Sequence, residues 1–438
     1  METVLKNSIE KEKLLFYASL FFLPSTFFLS IILLIISLII SFKKNKEDIL
    51  GDKYNLCFLL AGIALLISSI FNFLNNQSIN NISDNGHLTL IGLTNWIPQI
   101  ILFIGFQKYL KNIEDRKNCI FALLAGSIPV IVSCFGQLIF NWYGPLKTLF
   151  GLIVWYQKPI DGISGVTGLF SNPNYLGAWL VIVLPFCLAL IFYENRNFYR
   201  MIFTIILTFI IAILIVLTAS RSALFCLLLP IPLIYGKKIK LFFSIFLSLF
   251  SLIFLNLSFP IFGMGFQDFL RQIIPRGIWV NFTNLGYISL DISRLNIFNY
   301  TKKFILDQPL FGYGSRAFPT LFFNETSIWK GHSHNLPLEL MISYGIPAAL
   351  FILIPTFLII YNSFLKVFLH HKIIDKNTIL DRGWIVSLIL LMMMHMVDIQ
   401  YFDGKISITG WILLAGAKNI LQDNYNKTKE SKYLAGDS

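Results

Sequence analysis

Charge is scarce in this sequence. Asp, Glu, Lys and Arg make up 13% of 438 residues, whereas 56% are hydrophobic and the mean hydropathy is +0.70; soluble domains carry about 25% charged residues. That composition argues against a water-soluble domain and for a polytopic membrane protein. Cysteine pairing signals are missing too: Cys57, Cys119, Cys134, Cys187 and Cys226 all sit in apolar runs with no CxxC spacing, which points away from a disulfide framework or a zinc site. No cleavable leader is expected, because the first apolar run is too long and has no small-residue cleavage pattern before the polar turn.

What is abundant is long apolar sequence. Runs occur near 14–42, 55–74, 87–107, 118–140, 173–193, 201–219, 222–236, 240–257, 343–365, 383–401 and 405–421; about 20 residues cross the hydrocarbon of a bilayer. The first covers about 43 Å at 1.5 Å per residue and contains Pro24, so it reads as one kinked helix or as a hairpin. Net charge is +12, and the basic residues recur in every second loop, as cytoplasmic loops require. Lys43, Lys44, Lys46 and Lys53 begin the alternation; Lys108, Lys111, Arg116 and Lys117, then Arg196 and Arg200, then Lys237, Lys238 and Lys240, then Lys366, Lys372, Lys376 and Arg382 continue it. Lys6, Lys11 and Lys13 also precede the first run, so an inside N-terminus makes that run a hairpin. The expected fold is all-α, with about twelve transmembrane helices, or eleven if the first run is a single span. Its expected parts are a transmembrane bundle over 1–257, a long periplasmic loop with short helices over 258–336, transmembrane helices over 337–421 and a cytoplasmic tail over 422–438. With this much lipid-facing sequence, the positive charge points to membrane lipids as partners and not to nucleic acid.

The loop 258–336 holds seven cations against four anions although it should lie outside. Long loops escape the charge rule, so a plain loop domain is one reading and a basic pocket for an anionic ligand another. Within it, "DISRLNIFNYTKKFILDQP" reads as a helix capped by Asp291 or Ser293 and halted at Pro309, followed by the turn "FGYG".

Four places carry candidate chemistry. Arg221 stands in "LTASRSALF" between two apolar runs, where it is an interfacial anchor or a functional cation. Arg294, in the first turn of the loop helix, is a wet-face charge or a second anion contact. "GLFSNPNY" opens the run at 173, with Asn172 as cap, Pro173 in the first turn and Asn174 beside it; a helix start there also directs N–H groups toward headgroup phosphates. "KGHSHNLPLELMISYGIP" places His332, His334 and Asn335 at the mouth of a membrane segment, where a neutral imidazole can act as general base. Two histidines alone do not complete a metal set, so no metal and no cofactor is expected. His370 and His371 read as solvated. Ionisable residues near a membrane midplane, which a transporter needs, are few: His395 and Asp398 lie toward one end of a run, and no inverted repeat is visible.

In this order, "SNPNY", "TASR", "ISRLNIFNYTKKFILDQPLFGYGS" and "HSHNLPLELMISYGIP" resemble the O-antigen ligase and polymerase superfamily of bacterial inner-membrane proteins, over residues 165–365. "NWIPQIILFIGFQKYL" and the stretch from Gly144 to Leu180 resemble, more narrowly, a branch common in cyanobacteria. The resemblance implies a metal-independent, inverting glycosyltransferase in the inner membrane with its site facing the periplasm. Its donor would be a glycan on undecaprenyl pyrophosphate and its acceptor a hydroxyl of lipid A core. It implies that Arg221 and Arg294 hold the pyrophosphate and that His334 serves the acceptor hydroxyl or leaving group; Asn172, Asn174, Asn335 and His332, beside them in the motifs, are candidates for a supporting role. His332 lies outside the common pattern, and Phe298 stands where the family often has tryptophan. A Wzy-type polymerase, a protein O-oligosaccharyltransferase and, from another class, a bicarbonate-type anion transporter remain as alternatives.

Overall fold

The computed structural model describes residues 2–44, 49–75, 85–160, 165–193, 197–236, 240–273, 294–369 and 376–423. The calls on Asp291, Ser293, His370 and His371 fall outside them. Helices dominate: α1 (Glu2–Phe22), α2 (Phe27–Lys44), α3 (Lys53–Leu74), α4 (Asn85–Gly92), α5 (Ile97–Phe106), α6 (Ile113–Phe140), α7 (Pro173–Tyr193), α8 (Phe198–Leu217), α9 (Arg221–Leu228), α10 (Pro230–Tyr235), α11 (Lys240–Ser258), α12 (Met264–Ile273), α13 (Arg294–Asp307), α14 (Phe318–Thr326), α15 (Leu336–Phe368), α16 (Lys376–His395) and α17 (Gly404–Gln422). Seven described helices are long and apolar enough to cross a membrane by length and composition, and three shorter apolar helices accompany them. The protein is a polytopic membrane protein of mostly helical fold.

The first apolar run is two helices. A turn over 23–26 separates α1 from α2, and the Ser30 hydroxyl donates to the Ser19 carbonyl at 2.8 Å to close the hairpin. The run at 222–236 is likewise divided, since Pro230 has no N–H to continue the ladder of α9 and instead begins α10. A departure from a purely helical chain is the antiparallel pair β1 (Leu146–Thr148) and β2 (Ile153–Trp155), whose Trp155 indole donates to the Ser25 carbonyl at 2.9 Å.

Asx residues start many of these helices. Asp52 accepts from the Tyr54 and Asn55 amides, Asn112 from Asp115, Asn197 from Arg200 and Asp403 from Lys405, each satisfying amides that have no partner inside the helix. Helix α7 is buried along its length from Leu176 to Leu190 and packs against α16 and α8, while α17 is buried from Lys405 to Ile420. Helix α8 instead leaves Phe203, Ile206 and Phe209 exposed, as a lipid-facing helix does.

The loop after α12 carries its own apolar cluster. Ile297 and Phe304 of α13 pack with Phe318 and Phe322 of α14 and with Ile342 of α15, and Phe298 lies against the same cluster. The loop is tied to the membrane part by a break in α15 at Gly345 (φ +84°), where the Tyr313 and Gly314 amides donate to the Ile342 and Ser343 carbonyls at 2.8 and 3.0 Å and the Ile346 amide donates to the Pro309 carbonyl at 2.8 Å. A Cβ on Gly345 would meet the Leu310 carbonyl oxygen at 2.1 Å, so glycine is required twice over, by sterics and by backbone conformation. The first two turns of α15 are thereby held as a separate short helix under the loop.

Candidate active site

The four sequence motifs converge at one end of the bundle. "SNPNY" starts α7: the Asn172 side chain accepts from the Asn174 amide at 2.8 Å, as the expected cap does. The preceding strand of chain is pinned by the Val166 amide on the Leu217 carbonyl (3.0 Å), by Gln137 on the Thr167 and Gly168 amides and by buried Lys405 on the Leu169 carbonyl (2.9 Å). One turn further, Gly177 lets α9 approach closely: a Cβ there would lie 2.9 Å from that of Ala223 and 3.3 Å from that of Ser220. Arg221, the first residue of α9, is therefore held beside the start of α7 with its side chain exposed.

His334 and Asn335 enter from the other side. Asn335 caps α15 by accepting from the Leu338 amide at 3.0 Å, and its amide group donates to the Met396 carbonyl at 3.0 Å, which clamps the turn after α16 against the start of α15. His334 has φ +56°, a left-handed conformation that costs a non-glycine residue about 1–3 kcal/mol and persists only where its surroundings impose it. Here that conformation accompanies a His334 Nδ1 3.1 Å from Asp398 Oδ1.

Asp398 is the residue the sequence reading did not place in the site. From the sequence it reads only as a scarce ionisable group near a helix end, because 64 residues separate it from His334 and no spacing links them. Its Oδ1 also accepts from the Ile399 amide (3.0 Å) and its Oδ2 from the Asn174 amide group (3.0 Å), which joins α7 to the cluster. Burial raises its pKa, but the His334 hydrogen bond and the nearby imidazoles outweigh that and leave it below the usual carboxylate value. An ionised carboxylate can only accept, so His334 Nδ1 presents an N–H to Asp398.

His332 is neutral for a related reason. Burial, and then the neighbouring His334, push its pKa down to about 4, with Arg294 adding to the effect and Asp398 opposing it. Its Nδ1 accepts from the His334 amide at 3.2 Å, so its Nε2 holds the proton, 3.7 Å from Asp398 Oδ1. His332, His334 and Asp398 bring three ligand-type atoms within 4.8 Å of one another, a third group that the histidine pair alone lacked. As they stand, His334 Nδ1 and His332 Nε2 both face the Asp398 carboxylate with Arg294 close by, so a cation there would need each ring to present a lone pair inward beside a guanidinium.

Arg294 completes the site from the first residue of α13. Burial, together with the charge of Arg221, lowers its pKa, and Asp398 pulls the other way. Two guanidiniums are thus held within electrostatic reach of each other, and among the described residues neither makes an ion pair. That is an arrangement an anion would relieve. Lys303, by contrast, is occupied by Glu325 at 2.9 Å and does not contribute to it.

Residues 206–353 match the family model described as O-antigen ligase. The match supports the O-antigen ligase and polymerase superfamily. It spans Arg221, Arg294, His332, His334 and Asn335, while Asn172, Asn174 and Asp398 lie outside it. No curated protein matches the chain. The family indicates an O-antigen ligase- or polymerase-like glycosyltransferase of a multi-pass membrane protein, with glycan or lipid-linked substrates in general.

Proposed function

We infer that the protein is an O-antigen ligase-like enzyme that moves a glycan from undecaprenyl pyrophosphate to an acceptor hydroxyl, lipid A core or a related glycan, at the periplasmic face of the bacterial inner membrane. The observation that supports this best is the juxtaposition of two guanidiniums that make no ion pair among the described residues and an imidazole whose Nδ1 is engaged by the carboxylate of Asp398. The acceptor O–H loses its proton to His334 Nε2 as its oxygen forms a bond to the anomeric carbon. On the opposite side of that carbon the bond to the phosphate oxygen breaks, and the electron pair leaves with the pyrophosphate. Charge grows on that leaving group only as the bond breaks, so Arg221 and Arg294 stabilise the transition state more than the bound donor. Their planar forks suit paired phosphate oxygens. Attack opposite the leaving group inverts the anomeric centre. His334⁺, once formed, is stabilised by Asp398, which also holds the ring.

The charge gain at the site is carried by side chains, and no metal is needed for it. Transfer by purified protein should therefore continue in excess chelator. The experiment that tests the function is a deletion strain: undecaprenyl-linked glycan should accumulate, and acceptor molecules should lack the glycan until the intact gene is returned. Unchanged glycan on the acceptor and no accumulation would reject the reading.

A further inference from the structure

Phe150 is the most exposed large apolar side chain among the described residues, with its whole surface uncovered. It stands with Leu149 in the turn between β1 and β2, and the two have left-handed backbone, at φ +57° and +49°. Glycine takes that conformation freely, whereas a bulky residue is strained in it and keeps it only where its surroundings impose it. Leu146 and Leu152, on either side of the tip, are exposed as well. The hairpin is nevertheless fixed in place: the Trp155 indole of β2 donates to the Ser25 carbonyl, in the turn between α1 and α2, at 2.9 Å.

The chain leaves α6 at the bilayer surface, and its first residues fold back. Helix α6 carries no charge from Asn118 to Phe140, a rise of about 33 Å against a hydrocarbon core of about 30 Å. Its exposed stripe of Val132, Phe135 and Ile139 faces lipid up to the helix end. Asn141, at φ +52°, then reverses the chain. The Trp142 amide donates to the Gly136 carbonyl at 3.1 Å, and the indole lies where a Cβ on Gly136 would stand, about 6 Å back from the end of the helix. Trp142 is half exposed on that lipid-facing stripe, at the level where indoles collect in membrane proteins. Residues 141–160 hold Lys147 and Lys158 and no carboxylate, a balance that suits headgroup phosphates. We propose that the β1–β2 hairpin is a wedge inserted into the bilayer, with Leu149 and Phe150 among the acyl chains of the leaflet on the site's side and Lys147 at the phosphates. Its base is tied to the chain that leads into the site, since the Gly144 amide donates to the Gln157 carbonyl (2.8 Å) and the Gln157 amide to the carbonyl of Gly168 (3.2 Å), four residues before Asn172.

Spin-label relaxation of the full-length protein in phosphatidylglycerol–phosphatidylcholine nanodiscs tests this without any assay of transfer. The label is placed with Phe150→Cys on a Cys57→Ser background, because the other four native cysteines are buried. Phe209→Cys, on the lipid-facing side of α8, serves as the hydrocarbon reference. Both labelled positions are exposed, so neither substitution disturbs packing. Oxygen concentrates in hydrocarbon and a nickel chelate stays in water, so the label at 150 should be relaxed more strongly by oxygen than by the chelate, in the same order as at 209. Stronger relaxation by the chelate would put the tip in water, and weak relaxation by both would put it under protein, a second copy of the chain included; either result would overturn the proposal.

Discussion

Two sets of cations, one at each end of the helix bundle, are treated in opposite ways. At the end away from the site, one set of cations is matched with carboxylates: buried Arg116 makes a two-pronged pair with Asp381 at 2.9 and 3.0 Å and a further bond to Asp423 at 2.6 Å, while Lys418 meets Asp52 at 2.9 Å and Lys13 meets Asp115. At the site end, Arg221 and Arg294 face each other's charge, and the carboxylate in reach, Asp398, is committed to His334 and Asn174. A buried charge without its counterion is destabilising, so the first set must be structural. The second set is tolerated because both side chains reach the surface, and under the proposed function an anion would complete it.

Five substitutions test that difference. The largest effect belongs to His334→Ala, which removes the proposed base and should lower transfer at saturating donor by about 10²–10⁴-fold, with normal protein in the membrane by immunoblot. Arg116→Met comes next but acts on stability. It takes the guanidinium away from Asp381 and Asp423, at a cost of about 3–5 kcal/mol, and thermal unfolding in detergent should show it; Arg221→Met should shift stability by no more than about 0.5 kcal/mol. Asp398→Asn keeps the shape and loses a charge-assisted hydrogen bond of about 1.5–3 kcal/mol, so turnover should fall roughly 10- to 100-fold and the pH–rate profile should move, a change that a purely structural role would not produce. His332→Gln should do least. With a pKa of about 4 His332 is neutral from pH 7 down to about pH 5, and its removal should leave the profile in that window unchanged. The sign for stability is the depressed-histidine one: the unfolded imidazole, at about 6.5, takes up protons first, so the contribution of His332 is present above about pH 6.5 and is lost as pH falls toward 4.

Much of this was legible in the sequence, and the parts that were not share a cause. Composition and apolar runs give the membrane class, and the charges before and after residues 14–42 point to the hairpin that α1 and α2 form. Arg221, Arg294, His334 and Asn335 are visible because each lies inside a short local pattern. Asp398 was not assigned, since its partners Asn174 and His334 come from two other helices and no spacing reports a contact across the bundle. Arg116 was read as one of several loop charges marking orientation, yet it is fully buried; pairing with Asp381, 265 positions away, is invisible from its neighbours. Gly345 lay inside an apolar run read as one span over 343–365, and only the loop strand crossing it reveals why the helix breaks there.

Under the proposed function, Arg221 and Arg294 form one receptor for the pyrophosphate of the lipid carrier. Binding of undecaprenyl pyrophosphate and undecaprenyl monophosphate to the purified wild type and to the Arg221→Gln/Arg294→Gln double variant measures it directly. Each charge-assisted contact is worth about 1.5–3 kcal/mol, so the double variant should bind the pyrophosphate at least about 100-fold more weakly, lose its preference over the monophosphate and unfold at the wild-type temperature. Undiminished pyrophosphate binding by a folded double variant would contradict the account.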